Sequence, residues 1–304
     1  MTQWTTSDMP SQKGRSAVIT GTGGLGLEDA LELARTGGEI IIAGRNPQKG
    51  AEAVARVRSE LPSAQVRFEQ VDLASLKSVA DFAARLKGQR ESLDLLINNA
   101  AVMTPPRRQA TSDGFELQFG TNYLGHFALS AHLMPLLRKG TNARVVTLSS
   151  VAARDGAIDF DDLHATRSYQ PMRAYGQSKL ACLLFAFELQ RRSAANRWGV
   201  SSIAAHPGIS RTDLLHNAPG RWSLAGMART LLWFVFQPAS QGALPTLFAA
   251  TSPEAKAGAY YGPDKMKEIR GFPALAKVPP QAEDRTAAQR LWHVSEELTG
   301  VAFQ

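Results

Sequence analysis

The chain has 304 residues, enough for one large α/β domain or two small ones, and 44% of them are hydrophobic, as in a soluble globular protein. Its formal net charge of +7 comes from scattered residues such as Arg45, Lys49, Arg108, Arg138 and Arg192, with no basic tail, so nucleic acid is not the expected partner. A single cysteine, Cys182, leaves no internal disulfide and no cysteine cluster for a metal.

Residues 1–14 are polar, without a period, and are expected to form a loose tail. No basic-then-apolar leader pattern opens the chain. Ser16 to Thr20 is a short apolar run ending at Gly21-Thr22-Gly23-Gly24-Leu25-Gly26, and Ala30, Leu31, Leu33 and Ala34 then give a helical stripe. A second apolar run, Ile40 to Ala43, stops at Gly44-Arg45-Asn46-Pro47. Asn46 with Pro47 predicts an N-cap and first helical residue, for a helix reaching about Leu61. Strands are predicted over 66–71, 93–97, 144–148 and 202–205. Helices are predicted over about 76–86, 115–137 and 173–197, with a short one over 284–298. The span 208–237 holds Pro219, Gly220 and Gly226 and reads as a long excursion with a short helix.

Strands alternating with helices of this length predict a doubly wound parallel sheet, a Rossmann fold of about seven strands with helices on both faces. The whole chain, 1–304, is expected to form a single domain. The longest apolar run lies near Leu231 to Phe236, far short of the roughly 20 residues of a membrane span. The expected location is cytoplasmic.

The strand, glycine loop and helix at 16–35 suit a nucleotide. Glycines let the backbone approach a pyrophosphate, and the free N–H groups of the helix N-terminus face it. The bland alternative is a glycine turn made for packing. The end of the second strand selects the cofactor: an NAD binder usually puts an acid there, whereas this chain has Gly44-Arg45-Asn46. A guanidinium matches a 2′-phosphate, so NADP(H) is expected, with NAD less favoured and left open should Arg45 be a solvated surface residue.

Tyr175 and Lys179 are spaced to share one face of the helix predicted over 173–197. A nearby ammonium favours a phenolate, so the pair could move a proton near neutral pH. By itself the spacing favours an ordinary surface Tyr and Lys, and the pair gains a role only if the rest of the chain supplies a cofactor, a polarising group and a cleft.

With these residues the chain resembles the short-chain dehydrogenase/reductase family, from about Ser16 to Thr212 and more loosely to Tyr261. The motifs stand in register: the Thr-Gly glycine loop, Asp72-Leu73, Asn98-Asn99-Ala100, Asn122-Tyr123-Leu124-Gly125, Ser149-Ser150, Tyr175 with Lys179, and Pro207-Gly208 followed by Thr212. Leu124-Gly125-His126-Phe127 and Tyr175-Gly176-Gln177-Ser178-Lys179 look most like the retinol-dehydrogenase-like and protochlorophyllide-reductase-like branch. The glycine loop is one residue shorter than the family's Thr-Gly-x-x-x-Gly-x-Gly.

The resemblance implies that Tyr175 is the general acid/base, Lys179 its partner on the nicotinamide ribose, and Ser150 the hydrogen-bond donor to the substrate oxygen. It implies that Asn122 holds a water in a proton relay towards Lys179. Cofactor contacts would come from Gly21, Gly23, Gly24, Leu25, Gly26, Arg45, Asp72, Leu73, Asn99, Tyr175, Lys179, Pro207, Ile209 (through its backbone) and Thr212. The family's dimers often pair the helices at 115–137 and 173–197, so a homodimer is considered.

Candidate pocket walls are Met103, Val151, Ile158, Tyr169, Leu214 and Trp222. Their apolar bulk suggests a small lipophilic ketone, aldehyde or alcohol as substrate. The segment 222–236 could equally pack as core, as an interface or against a membrane surface. The expected function is NADP(H)-dependent hydride transfer between such a carbonyl and its alcohol. Reduction of an activated C=C bond, or a sensor or scaffold that binds NADP(H) without turnover, remain the alternatives. His126 and His206 are expected to be structural, and Cys182 a small core residue.

Overall fold

The computed structural model describes residues 3–210 and 237–303. The excursion expected over 208–237, with Thr212, Leu214 and Trp222, falls almost wholly outside them.

Strand β1 (Ser16–Thr20) is buried along its length and leads through the glycine loop into helix α1 (Gly24–Arg35). Helix α1 turns its apolar stripe, Ala30, Leu31, Leu33 and Ala34, into the core. Strand β2 (Glu39–Gly44) and helix α2 (Pro47–Glu60) follow, and the Asn46 side chain caps α2 by accepting from the Lys49 N–H at 3.1 Å. Strand β3 (Val66–Gln70), helix α3 (Leu76–Gln89) and strand β4 (Leu95–Asn98) complete the first half. A π-helical turn (Phe119–Leu124) runs straight into helix α4 (Gly125–Leu137). Strand β5 (Arg144–Leu148), helix α5 (Pro171–Asn196) and strand β6 (Ser201–Ala205) come next. Helix α6 (Ala239–Thr251), strands β7 (Tyr260–Lys265) and β8 (Arg270–Leu275) and helix α7 (Arg285–Thr299) end the chain.

Among the described residues the sheet has eight strands in the order β3-β2-β1-β4-β5-β6-β7-β8. Strands β1 to β7 are parallel to their neighbours, and β8 returns antiparallel beside β7. Two buried clusters lie on the two faces of the sheet, one containing Val18, Ile41 and Leu96 and the other Ile19, Ile40 and Ile42. This is the doubly wound α/β fold that the alternating pattern predicts, with one antiparallel edge strand added. Order reverses between β1 and β4, which opens a crevice beyond the carboxyl ends of the strands.

One expectation changes. The segment before β1 is not a loose tail: Trp4 meets Phe248 edge-on at 5.3 Å, Thr6–Asp8 forms a 3₁₀ turn, and Met9 and Gln12 are buried. It caps the second cluster, on the face where α6 packs. Helix α7 packs on the two helices considered for dimer pairing. Trp292 of α7 packs against Phe127 of α4 at 5.1 Å and Phe185 of α5 at 5.9 Å, with Phe303 closing the group at 4.5 Å from Trp292. No helix among the described residues is long and apolar enough to cross a membrane.

Candidate active site

The carboxyl ends of β1, β2, β4, β5 and β6 open onto one cleft of about 580 Å³. At the β2 end it is lined by Gly44, Arg45, Asn46 and Lys49. In the middle lie Gly21, Thr22, Gly23, Gly24, Leu25, Asp72, Leu73 and Asn99. At the β5–β6 end lie Ser149, Tyr175, Lys179 and Pro207. An elongated cleft with cations at one end and a phenol and an ammonium at the other has the layout of a dinucleotide site.

The glycine loop is built for close approach. Gly21 takes φ +105°, and a Cβ there would stand 2.7 Å from Asn99 Nδ2. Gly23, extended, is the N-cap of α1, so the first N–H groups of the helix point out of the loop with no side chain across them. The one-residue-shorter loop is therefore fully formed.

Thr20 and Asn99 clasp this loop to β4. The Thr20 hydroxyl oxygen accepts from the N–H groups of Asn99 (2.9 Å) and Ala100 (3.0 Å), and Asn99 Nδ2 donates to the Thr20 carbonyl at 2.7 Å. His126 Nδ1 faces the Asn122 carbonyl at 2.8 Å, and a carbonyl only accepts, so Nδ1 carries the proton. The other ring nitrogen of the neutral imidazole, Nε2, then accepts from Thr20 Oγ1 at 2.8 Å, the nearer of that hydroxyl's two acceptors, with Ile97 O at 3.3 Å. Burial pushes His126 down to about 4, so it is neutral at pH 7. His126 is a structural bridge from the cofactor loop to the π-helical turn, as expected, and a more specific one than packing.

Asn122 is held from both sides. Its Oδ1 accepts from Val102 N at 2.7 Å, and its Nδ2 donates to Val102 O and to Ser178 Oγ, each at 3.0 Å. Its carbonyl takes His126 and also the Cys182 thiol at 3.2 Å. Cys182 is buried, and desolvation raises its thiol. It is the core residue expected.

Tyr175 and Lys179 are both nearly buried on α5, at 5% and 4% exposure, and the ammonium lies 6.0 Å from the phenol ring centre. Lys179 Nζ donates to the Leu148 carbonyl at the end of β5, 3.0 Å away. Ser149 Oγ donates to the Lys179 carbonyl at 2.8 Å, so strand end and helix are tied twice. Ser150 follows as the N-cap of a 3₁₀ turn (Val151–Asp155), and its Oγ accepts from Ala152 N at 3.2 Å. Its own hydroxyl proton has no acceptor among the described residues.

Of the expected cofactor residues, Gly21, Gly23, Gly24, Leu25, Arg45, Asp72, Leu73, Asn99, Tyr175, Lys179 and Pro207 line this cleft. Gly26 lies behind the loop, where a Cβ would meet Asn99 Nδ2 at 2.6 Å and the Gly21 carbonyl at 3.0 Å. Both backbone polar groups of Ile209 are paired inside the protein, the N–H to Ile269 O (2.9 Å) and the carbonyl to Gln237 N (3.2 Å). Asn122, Ser150, Met103, Val151, Ile158 and Tyr169 are not among the cleft-lining residues. Ile158 packs on the buried core, and the Tyr169 hydroxyl donates to Pro105 O at 3.0 Å. Lys49 is a cleft cation that sequence reasoning passed over. Its signal was there: it lies in the first turn of α2, four residues after Arg45.

A twisted parallel sheet, a glycine loop at its switch point, and a Tyr–Lys pair at the far end of one cleft define a nicotinamide-dinucleotide oxidoreductase of the α/β class. The chain belongs to the short-chain dehydrogenase family, whose model matches residues 15–221. It is 40% identical over 300 residues to retinol dehydrogenase 13 of Mus musculus, covering 95% of this chain and 85% of that one. It is also 40% identical over 299 residues to polyprenol dehydrogenase of Mus musculus, covering 96% and 86%. A crystal structure of an uncharacterised protein from Mycobacterium Paratuberculosis, 39% identical, superposes over 100% of both chains with a TM-score of 0.82. These relatives support the retinol-dehydrogenase-like branch suggested by the motifs.

Proposed function

We propose that the chain is an NADP(H)-dependent oxidoreductase that interconverts a lipophilic ketone or aldehyde and its alcohol. The observation that carries this reading is the single cleft that joins Arg45 and Lys49 to Tyr175 and Lys179. Arg45 and Lys49 have no acidic partner among the described residues, which leaves them for a 2′-phosphate. The glycine loop and the N-terminus of α1 would hold the pyrophosphate, Asp72 and Leu73 would border the adenine, and Pro207 would border the nicotinamide.

When bound, the dinucleotide gives or takes the hydride. The protein manages the proton and the charge. As a carbonyl is reduced its oxygen becomes anionic; Ser150 Oγ–H holds that oxygen and the Tyr175 hydroxyl gives it a proton. Lys179 keeps donors beyond the one on Leu148, so its charge stabilises the phenolate left on Tyr175. Asn122, fixed between Val102 and Ser178, holds the π-helical turn against α5, and its one remaining Oδ1 lone pair is where a relay water towards Lys179 would bind. The relatives' names, retinol and polyprenol dehydrogenase, are those of enzymes for lipophilic alcohols and favour such a substrate here.

The test is loss of NADPH absorbance with a panel of lipophilic ketones and aldehydes, followed by identification of the product. An alcohol product supports the reading. A saturated product that keeps its carbonyl assigns C=C reduction instead, and nucleotide binding without turnover across the panel leaves the sensor reading.

A further inference from the structure

A half-buried polar cluster, built round the buried ring of His206, stands behind the nicotinamide end of the cleft, and the family motifs do not mention it. Glu268 sits at the tip of the β7–β8 hairpin. Its Oε2 accepts from His206 Nε2 at 2.9 Å and from Arg154 Nη2 at 2.6 Å, and its Oε1 accepts from Lys277 N at 2.8 Å. Both side-chain donors belong to segments of the active site. Arg154 is in the 3₁₀ turn that Ser150 caps, and His206 directly precedes Pro207-Gly208-Ile209.

The hydrogen bonds fix the protonation pattern. His206 Nδ1 accepts from Gly208 N at 3.2 Å, so Nε2 carries the hydrogen that goes to Glu268. His206 is fully buried, and desolvation lowers it despite the acid beside it, while against partial burial the hydrogen bonds from His206 and from the Lys277 N–H, with the Arg154 charge last, hold Glu268 down at about 2. The groups facing His206 are Glu268 from the hairpin, Arg154 from the turn after β5 and the Tyr260 ring of β7 at 5.1 Å. The pair is therefore neutral histidine on ionised glutamate.

The hairpin tip grips the same stretch through its backbone. Ile269 O accepts from Ile209 N at 2.9 Å, and Gly208, at φ +63°, leaves no space for a Cβ against that carbonyl. The tip is held in an unfavourable shape: Met266, Lys267 and Glu268 have φ of 53°, 56° and 66° in succession. Such conformations persist where surrounding contacts over-determine them, and they gather at functional sites.

We propose that Glu268 is a positioning residue which, through His206 and Arg154, sets the Pro207–Ile209 wall and the Ser150 turn against the nicotinamide half of the cofactor. The proposal rests on the NADP(H) reading above for the identity of the ligand, but not for the latch itself. It acts on one end of the cleft only, because Arg45 lies at the end of β2, several strands away.

Glu268→Gln keeps size and shape and removes the charge. Hydrogen exchange of the free protein should show the Gly208 and Ile209 amides opening faster than in the parent, with the amides of β1 and β4 unchanged. The variant should bind NADP⁺ about tenfold more weakly, as expected for the loss of one charge-assisted hydrogen bond, yet bind 2′,5′-ADP, the half without nicotinamide, as the parent does. Arg154→Met, which leaves the histidine–glutamate pair in place, should move the same two readouts in the same direction. Should Glu268→Gln not fold, it decides the matter alone. Unchanged exchange at 208–209 overturns the latch, as does equal weakening of both nucleotides. If the parent binds no nicotinamide nucleotide while the exchange behaves as expected, the latch stands and the cofactor reading falls.

Discussion

Lys179 Nζ donates to the Leu148 carbonyl at 3.0 Å, and this bond joins the middle of α5 to the last residue of β5. A lysine side chain otherwise has much rotamer freedom to lose. Here it is nearly buried and committed to one place, beside the phenol of Tyr175. The ammonium is thus a fixed charge at the reacting end of the cleft.

Lys179→Met keeps the stem and removes the donor. It strands the Leu148 carbonyl, which costs about 1–3 kcal/mol of stability by the usual penalty for a buried unsatisfied group. Turnover should fall by more than that loss explains, because Tyr175 loses its charged neighbour. Denaturant midpoints and kcat measured on the same preparation check this. A variant with parental kcat would remove Lys179 from the mechanism.

Arg45→Asp should reverse cofactor preference. A carboxylate repels a 2′-phosphate and accepts hydrogen bonds from a ribose diol. The kcat/KM ratio for NADPH over NADH should drop by at least about tenfold, on the order of one lost charge-assisted contact. An unchanged ratio would leave the choice of cofactor to other residues, Lys49 first among them.

His126 predicts a pH dependence of stability. Its folded value is lowered to about 4 from 6.5, so the unfolded chain binds the proton more tightly. Stability from this group is intact above pH 6.5 and falls as the pH drops from there towards 4. The shift corresponds to about 3 kcal/mol in all. His132, His164 and His206 are lowered too and add to the slope. His126→Asn should be less stable at pH 7.5 but lose less on acidification than the parent. Parallel stability curves from pH 7.5 to 4.5 would contradict the buried neutral assignment.

Much of the site was legible because its signals are local. The glycine loop lies between β1 and α1, Asn46 caps α2, and Tyr175 and Lys179 fall one turn apart on a real helix. What could not be read depends on distant contacts. Residues 3–14 look polar, yet Trp4 finds its partner at Phe248. Strand β8 is disguised by Pro273, and its order comes from pairing with β7. Helix α6 carries Pro245 within it. The grip of Glu268 on His206 spans 62 positions and has no periodicity to announce it.

The same holds for α7. Trp292 is almost wholly buried between α4 and α5 and also stacks under the Arg192 guanidinium at 4.4 Å. Trp292→Ala should cost about 3–5 kcal/mol, the range for deleting a large buried aromatic. Thermal unfolding measures it, and a loss under 1 kcal/mol would mean that α7 is not part of the core.

The central claim is that Tyr175 handles the proton of a hydride transfer. Tyr175→Phe removes one oxygen from a nearly buried side chain and leaves the ring. NADPH consumption with a ketone that the parent reduces should fall by about 10²–10⁴-fold, the range for loss of a general acid, while NADP⁺ binding measured by calorimetry stays within about twofold. Turnover near the parent's, with the cofactor still bound, would contradict the account.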